Sequence, residues 1–199
     1  MNRNAASFIA LLFTACSSIV TRAQIAEIRG LNGEATYTVA NGTAVSVRKG
    51  VSLPVGALVK TGRGAAVDIY LGPDYGTVRL TQNTILSIDK LEARQTHLTL
   101  WDGSFVGWDA KVPANASFQV KLAKGVLGIV SGRYRVDSRS YLVLLEGLMV
   151  HAYVMPDNQL KPFTLQAPPA VYFSPVEGVK TAPAALRREV ELQGKGKLR

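Results

Sequence analysis

Apolar and polar residues alternate with a period of two through much of this chain. Over residues 65–71, Val67, Ile69 and Leu71 fall on one side and Asp68 and Tyr70 on the other, the pattern of a strand with one face in a core. The period returns in Val78-Arg79-Leu80, in His97-Leu98-Thr99-Leu100-Trp101 and in Phe118-Gln119-Val120-Lys121-Leu122. On this pattern Arg29, Arg48, Lys60 and Arg79 occupy the solvent side of a sheet. Gly72-Pro73-Asp74-Tyr75-Gly76, Asp102-Gly103 and Lys124-Gly125 separate the runs. Gly permits positive φ there, and Pro and Asp favour tight turns. Asp102-Gly103, between two alternating runs, is the strongest hairpin signal. Residues 141–145 and 148–154 are nearly continuous apolar runs on either side of Glu146-Gly147, which predicts central strands buried on both faces.

Turn signals recur roughly every ten residues from Gly30 to Gly147, with no long helical period, which predicts an all-β sandwich or roll of short, mainly antiparallel strands rather than a βαβ sheet. The β domain is expected over residues 24–155. Residues 156–180 form a Pro-rich extended segment, with Pro156, Pro162, Pro168, Pro169 and Pro175 suited to edge or linker pieces. Residues 181–199 form a basic tail. Within it, 184–192 has helix-forming composition with Pro183 in the first turn, and disorder is expected from Gly194 onward.

A length of 199 residues with 47% hydrophobic and 19% charged residues fits one folded domain of ordinary size with a tail. A lone cysteine, Cys16, forms no internal disulfide, and with two histidines it cannot complete a Cys/His zinc framework, so no metal or cofactor is expected. Residues 1–23 read as a secretory signal: Arg3, an apolar run over 5–20, then Thr21-Arg22-Ala23 before Gln24, with cleavage expected after Ala23. The competing reading is a lipoprotein, with Cys16 lipidated after Phe13-Thr14-Ala15, and a retained anchor ranks behind both because the run is shorter than a membrane span. The expected location is therefore periplasmic or extracellular, with no integral span in the mature chain.

The formal charge of +9 misleads about partners. Removing residues 1–23 leaves +7, of which residues 180–199 carry +4 through Lys180, Arg187, Arg188, Lys195, Lys197 and Arg199 against Glu189 and Glu191. A nucleic-acid face is not indicated. The tail reads as a solvated cationic segment able to sit near an anionic wall polymer.

Catalytic constellations are weak. Gly128-Ile129-Val130-Ser131-Gly132 lacks the spacing of a hydrolase nucleophile turn, which needs Gly two residues before and two after the Ser at a strand-to-helix bend; with Val130 and Arg133 here the spacing is wrong. His97 and His151 lie in strands and read as hydrogen-bonded structural histidines ahead of general bases. Asp68, Asp102 and Glu146 are explained by turn or sheet chemistry, and Gly62-Arg63-Gly64 precedes a strand, not the helix a phosphate loop needs. Trp101, Phe105 and Trp108 straddle Asp102-Gly103 and could form an aromatic platform, against the blander reading of core and cross-strand packing. Asn41-Gly42-Thr43 and Asn115-Ala116-Ser117 match the glycosylation triplet but read more simply as turns.

Leu53-Pro54-Val55-Gly56-Ala57-Leu58-Val59-Lys60-Thr61-Gly62-Arg63-Gly64-Ala65-Ala66-Val67 resembles the opening of the FecR domain. The order continues through Val78-Arg79-Leu80-Thr81-Gln82-Asn83-Thr84-Ile85-Leu86, Leu98-Thr99-Leu100-Trp101-Asp102-Gly103-Ser104-Phe105, Phe118-Gln119-Val120 and the closing pair around Leu144-Leu145-Glu146-Gly147-Leu148-Met149-Val150. In Ser131-Gly132-Arg133-Tyr134-Arg135-Val136, Arg133 replaces the family's Thr. The resemblance spans roughly residues 26–155. It implies an exported, non-enzymatic all-β module, best known as the periplasmic half of transmembrane regulators that control a sigma factor. Here only a signal peptide precedes the module, so the expectation is binding to an envelope protein, without the family's inward relay. The alternatives are a wall- or polysaccharide-associated structural module and an unrecognised hydrolase.

Overall fold

The computed structural model describes residues 25–40 and 42–195. The signal segment, Cys16, Ala23, Gln24, Asn41 and the last residues of the tail lie outside it. Among the described residues the chain is all-β, with one C-terminal helix. The strands are β1 (Ala26–Asn32), β2 (Ala35–Val39), β3 (Val45–Ser46), β4 (Ser52–Leu53), β5 (Ala57–Thr61), β6 (Ala66–Gly72), β7 (Gly76–Leu80) and β8 (Ile85–Glu92). They continue with β9 (Gln95–Asp102), β10 (Ser104–Lys111), β11 (Ser117–Leu122), β12 (Gly125–Asp137), β13 (Leu142–Val154), β14 (Leu160–Ala167), β15 (Val171–Ser174) and β16 (Gly178–Thr181). Helix α1 (Ala184–Lys195) follows.

All sixteen strands join one curled sheet, in the order β3-β2-β5-β8-β9-β11-β12-β10-β7-β6-β1-β4, with β13 to β16 attached along β12. Pairing is antiparallel except between β9 and β11. The long strands β12 and β13 tie the two halves together. The first half of β12 pairs with β11 and its second half with β10, while β13 runs beside it throughout. At the junction Gly132 faces Gly147, at φ 109° and 102°, between ladder irregularities at Ile129/Ser131 and Arg133/Tyr134. A Cβ on either glycine would overlap the opposite backbone, at Glu146 O or Ser131 O. Paired glycines thus let both strands bend together and the sheet turn back over itself.

The curl encloses one apolar core, to which the expected strand faces contribute. Val67, Ile69, Leu71, Val78, Leu80, Leu98, Leu100, Phe118 and Val120 are all buried in it. Tyr75, from the β6–β7 turn, meets Phe118 of β11 edge-on at 5.7 Å, and Phe105 meets Tyr134 at 6.3 Å. Gly72 to Gly76 and Lys124-Gly125 close hairpins as expected.

Four expectations need correction. Asp102-Gly103 joins no hairpin: β9 pairs with β8 and β11, while β10 pairs with β7 and β12, so this turn carries the chain between the two halves. Residues on both sides of Glu146-Gly147 form one strand, β13, because Gly147 bends the chain without reversing it. Arg79 is not on the solvent side, since α1 lies over its face of the sheet. Helix α1 runs to Lys195 rather than ending near residue 192. Its Val190 is buried with Val106, Val143, Ala170 and Ala182 in a second, small apolar cluster.

The Pro-rich stretch holds β14 and β15, laid end to end along β13, with Gly147 paired to Ala167 and Leu144 to Val171. Pro168 and Pro169 fall in the gap and supply no N–H to the ladder.

Two substitutions test the bend. Gly132→Ala is expected to cost roughly 3 kcal/mol or more in urea unfolding, since a forbidden φ and a backbone clash coincide. Gly50→Ala, at φ 85° with open space around it, should cost only about 1 kcal/mol. Equal losses would mean that the facing glycines do not set the curl.

Candidate interaction surface

The chain crossing at Asp102-Gly103 is held by hydroxyls. Thr61 Oγ1 donates to Thr81 O at 2.5 Å and accepts from Thr84 N at 2.9 Å. Thr84 Oγ1 donates to Ser104 O at 3.0 Å and accepts from Ser104 N at 3.2 Å, while Thr81 Oγ1 donates to Ser104 O at 2.9 Å. Gly103, at φ 78°, lies so close to Thr84 that a Cβ would overlap its hydroxyl. The Thr-Gly, Asn-Thr and Asp-Gly elements, far apart in sequence, therefore form one corner, which satisfies buried polar groups where the strands exchange halves.

The three aromatic candidates are not brought together. Phe105 is buried in the main core and unavailable to a surface. Trp108 is partly buried against the α1 cluster, with the Arg79 guanidinium 5.3 Å from its ring. Trp101 alone is exposed, at 62%. Its Nε1–H donates to Ser87 Oγ at 3.1 Å, Ser87 donates to Asp89 Oδ1 at 2.6 Å, and Thr99 donates to Asp89 Oδ2 at 2.5 Å. Phe105 faces the core from one half of the sheet, whereas Trp101 lies on the outer side of the other half. The crossing separates residues that a hairpin would have made neighbours.

Beneath α1, Arg79 and Asp68 form a bidentate pair, Nε–Oδ1 2.6 Å and NH2–Oδ2 2.8 Å, with the residues 6% and 8% exposed. The remaining Arg79 nitrogen donates to Gln193 O at 3.0 Å near the end of α1, where a cation complements the helix dipole. Arg135 pairs with Glu189 farther along the helix at 2.5 Å. Sequence alternation placed Asp68 and Arg79 on one face correctly, but nothing local signals the helix that covers them.

The histidines separate. His97 is half-buried on the outer side of β9, beside Lys90 and Gln119 in the ladders. His151 is 0% exposed among rings, 5.6 Å from Tyr153 and 5.1 Å from Phe173, and across the ladder from Phe163. Contrary to the expected hydrogen-bonded histidine, neither ring nitrogen has a hydrogen-bond partner among the described residues. Burial lowers it to about 4, and the Val126 backbone opposes the shift without forming a well-directed hydrogen bond. Asp102 and Glu146 are exposed. Glu146 lies 3.6 Å from Arg133, so the residue that departs from the family pattern makes a surface ion pair, worth little by itself. Ser131 sits in mid-strand β12, away from any strand-to-helix bend. Among the described residues there is no cluster of metal-ligating side chains, and no helix is long and apolar enough to cross a membrane.

A further surface went unseen in the sequence. Val126, Val130 and Val150 are exposed around Gly128, which pairs with Val150. Val130 and Val150 border a groove of about 270 Å³ lined also by Val112, Pro113, Ala116, Gln119 and Ile129. Beyond β13 lies β14, whose far edge is unpaired among the described residues.

The bent pair and the hydroxyl corner lie within a segment that matches a known family. Residues 57–150 match the family model described as FecR protein. This segment is a FecR domain. The match is narrower than the resemblance over residues 26–155 and leaves β14 to α1 outside. In fold, the chain is similar to the crystal structure of a proposed anti-sigma factor from Parabacteroides distasonis ATCC 8503, with a TM-score of 0.53 at 14% identity. The alignment covers 69% of this chain and 64% of that one, so the chain spans less than two-thirds of that protein's length. No curated protein matches the sequence.

Two predictions test this environment around the FecR domain. Arg79→Met should cost about 3–5 kcal/mol by leaving Asp68 buried and unpaired, and adding Asp68→Leu should recover most of it; a double variant as unstable as the single one would refute the pair's isolation. His151 takes up a proton at about 4 when folded and at its ordinary 6.5 when unfolded, so the unfolded chain protonates first as pH falls. Stability should stay constant above pH 6.5 and decline by roughly 3 kcal/mol toward pH 4. Urea midpoints across that window check it, and His151→Phe should remove this part of the slope.

Proposed function

We propose that the protein is a non-enzymatic signalling module of the cell envelope that works by binding an extended segment of another protein. Export by the leader over residues 1–23 and a periplasmic or extracellular location belong to the same reading, with a lipoprotein anchored at Cys16 as the alternative. The FecR match supports a regulatory role, and the Parabacteroides distasonis protein, itself described as a proposed anti-sigma factor, is consistent with it.

The observation that carries the binding surface is the conjunction of a free strand edge with an apolar groove on the same half of the sheet. An unpaired edge offers backbone donors and acceptors to an incoming strand. The groove beside Val130 and Val150 offers side-chain pockets. Pro162 and Lys161 in β14 restrain indiscriminate pairing along that edge. The basic residues of α1 favour a wall polymer less, because the helix is docked and two of its acids accompany them.

Gly128 provides a clean test, because an added Cβ would meet only Val150 O at 3.7 Å. Gly128→Arg and Val150→Glu should leave thermal unfolding unchanged yet reduce capture of a protein partner from an envelope extract by at least about tenfold. Leu192→Glu, exposed on α1, should not. Undiminished capture by both groove variants would sink the surface. Retention on isolated wall polymer that disappears in salt would favour the structural alternative.

A further inference from the structure

Trp101 and Asp89 share an unusual origin. In the β8–β9 ladder Ile85 pairs with Asp102 and Leu86 with Leu100, so Trp101 is an extra residue on β9. Farther along, Ile88 pairs with Leu98 and Lys90 with His97, so Asp89 is an extra residue on β8. The register pair Ser87–Thr99 lies between these two bulges, and all four residues form the relay from the indole N–H to Ser87, to Asp89, and back from Thr99. Bulges re-aim side chains and interrupt pairing. Two in one strand pair, each supplying one end of a hydrogen-bonded cluster on the outer face, make a built surface.

The cluster fixes the position of a large ring that gains little from burial. An exposed tryptophan held in one orientation has already lost its rotamer freedom, which lowers the cost of binding something against it. Its surroundings are more polar than the valine groove, which they adjoin at Gln119. The outward neighbours across the next ladder are polar: Thr99 pairs with Lys121, and His97 with Gln119. Lys121 and Gln119 are exposed, as is Asp89. One apolar plane, a carboxylate, an ammonium and an amide together suit a ligand with an aliphatic face and many hydroxyls. An apolar protein anchor would leave these polar groups unpaired, and a cationic ligand would meet the Lys121 ammonium.

We infer that the outer face of β8, β9 and β11 is a glycan-binding site in which a pyranose ring stacks on Trp101 and its hydroxyls bond to Asp89, Lys121 and Gln119. This goes beyond the protein-binding reading and centres on Trp101 rather than on the groove, which it adjoins at Gln119.

The test is calorimetric titration of the full chain with chitohexaose, cellohexaose and laminarihexaose. At least one should bind with a dissociation constant of about 0.1–1 mM. Trp101→Ala should weaken that binding at least about tenfold, and Trp101→Phe should retain most of it. Ser87→Ala, which frees the indole, should weaken it a few-fold with unchanged thermal unfolding. Affinity should vary less than about twofold between low and high salt. Failure of all three oligosaccharides to bind at about 10 mM, equal binding by Trp101→Ala, or binding abolished by salt would overturn the proposal. Loss of a captured protein partner in Trp101→Ala without saccharide binding would place a protein here instead and also overturn it. The groove variant Val150→Glu, on β13 and two strands away from Gln119, should bind the saccharide normally, which separates this site from the protein surface.

Discussion

The close approach of Gly132 and Gly147 is the constraint on which the rest of the structure depends. Thirteen-residue strands such as β12 and β13 would otherwise hold a long, gently twisted sheet with one face exposed. Two facing residues without Cβ atoms, both at positive φ, allow the pair to bend as a unit. The two halves then meet across a shared core, and Tyr75, Phe105, Phe118 and Tyr134 can pack in its interior. The hydrophobic gain follows from the bend, because only a curled sheet buries the alternating faces against each other.

A curled sheet must also pass its chain from one half to the other, and polar backbone at such crossings needs partners. The Thr61–Thr84–Ser104 corner supplies them. The FecR segment contains both the bend and this corner, so its short, scattered motifs are geometric requirements of the fold. Outside the segment, α1 covers part of the outer face and shields an ion pair that water would otherwise solvate. Gln193 O completes the hydrogen bonding of Arg79, as a desolvated charge requires.

Two uncovered surfaces of different character adjoin on one half of the molecule, meeting at Gln119. The groove at Gly128 is apolar and adjoins an open backbone edge. The Trp101 surface is polar around one ring and is shaped by two bulges. The first suits a strand with side chains that seek pockets, the second a ligand rich in hydroxyls. Both arise from backbone irregularity, a missing side chain in one and extra residues in the other.

The amino-acid order by itself determined the strand content, the inward faces of β6, β7, β9 and β11, the hairpins at Gly72 to Gly76 and Lys124-Gly125, and the helix near the end. These are local matters: alternation follows from the two-residue repeat of a strand, and turns follow from the φ preferences of Gly, Pro and Asp. Family resemblance also came from motif order. Which strands would pair was not local. Asp102-Gly103 has hairpin chemistry but joins strands in different halves, and that choice split Trp101 from Phe105 and Trp108. Arg79 has the pattern of a solvent-facing residue and is buried, because a helix more than a hundred residues later lies on it. Trp101 and Asp89 acquire their meaning only from register. Side-chain direction along a strand is written in its own sequence, whereas its neighbours, its bulges and whatever covers its outer face are set by the rest of the chain closing around the core.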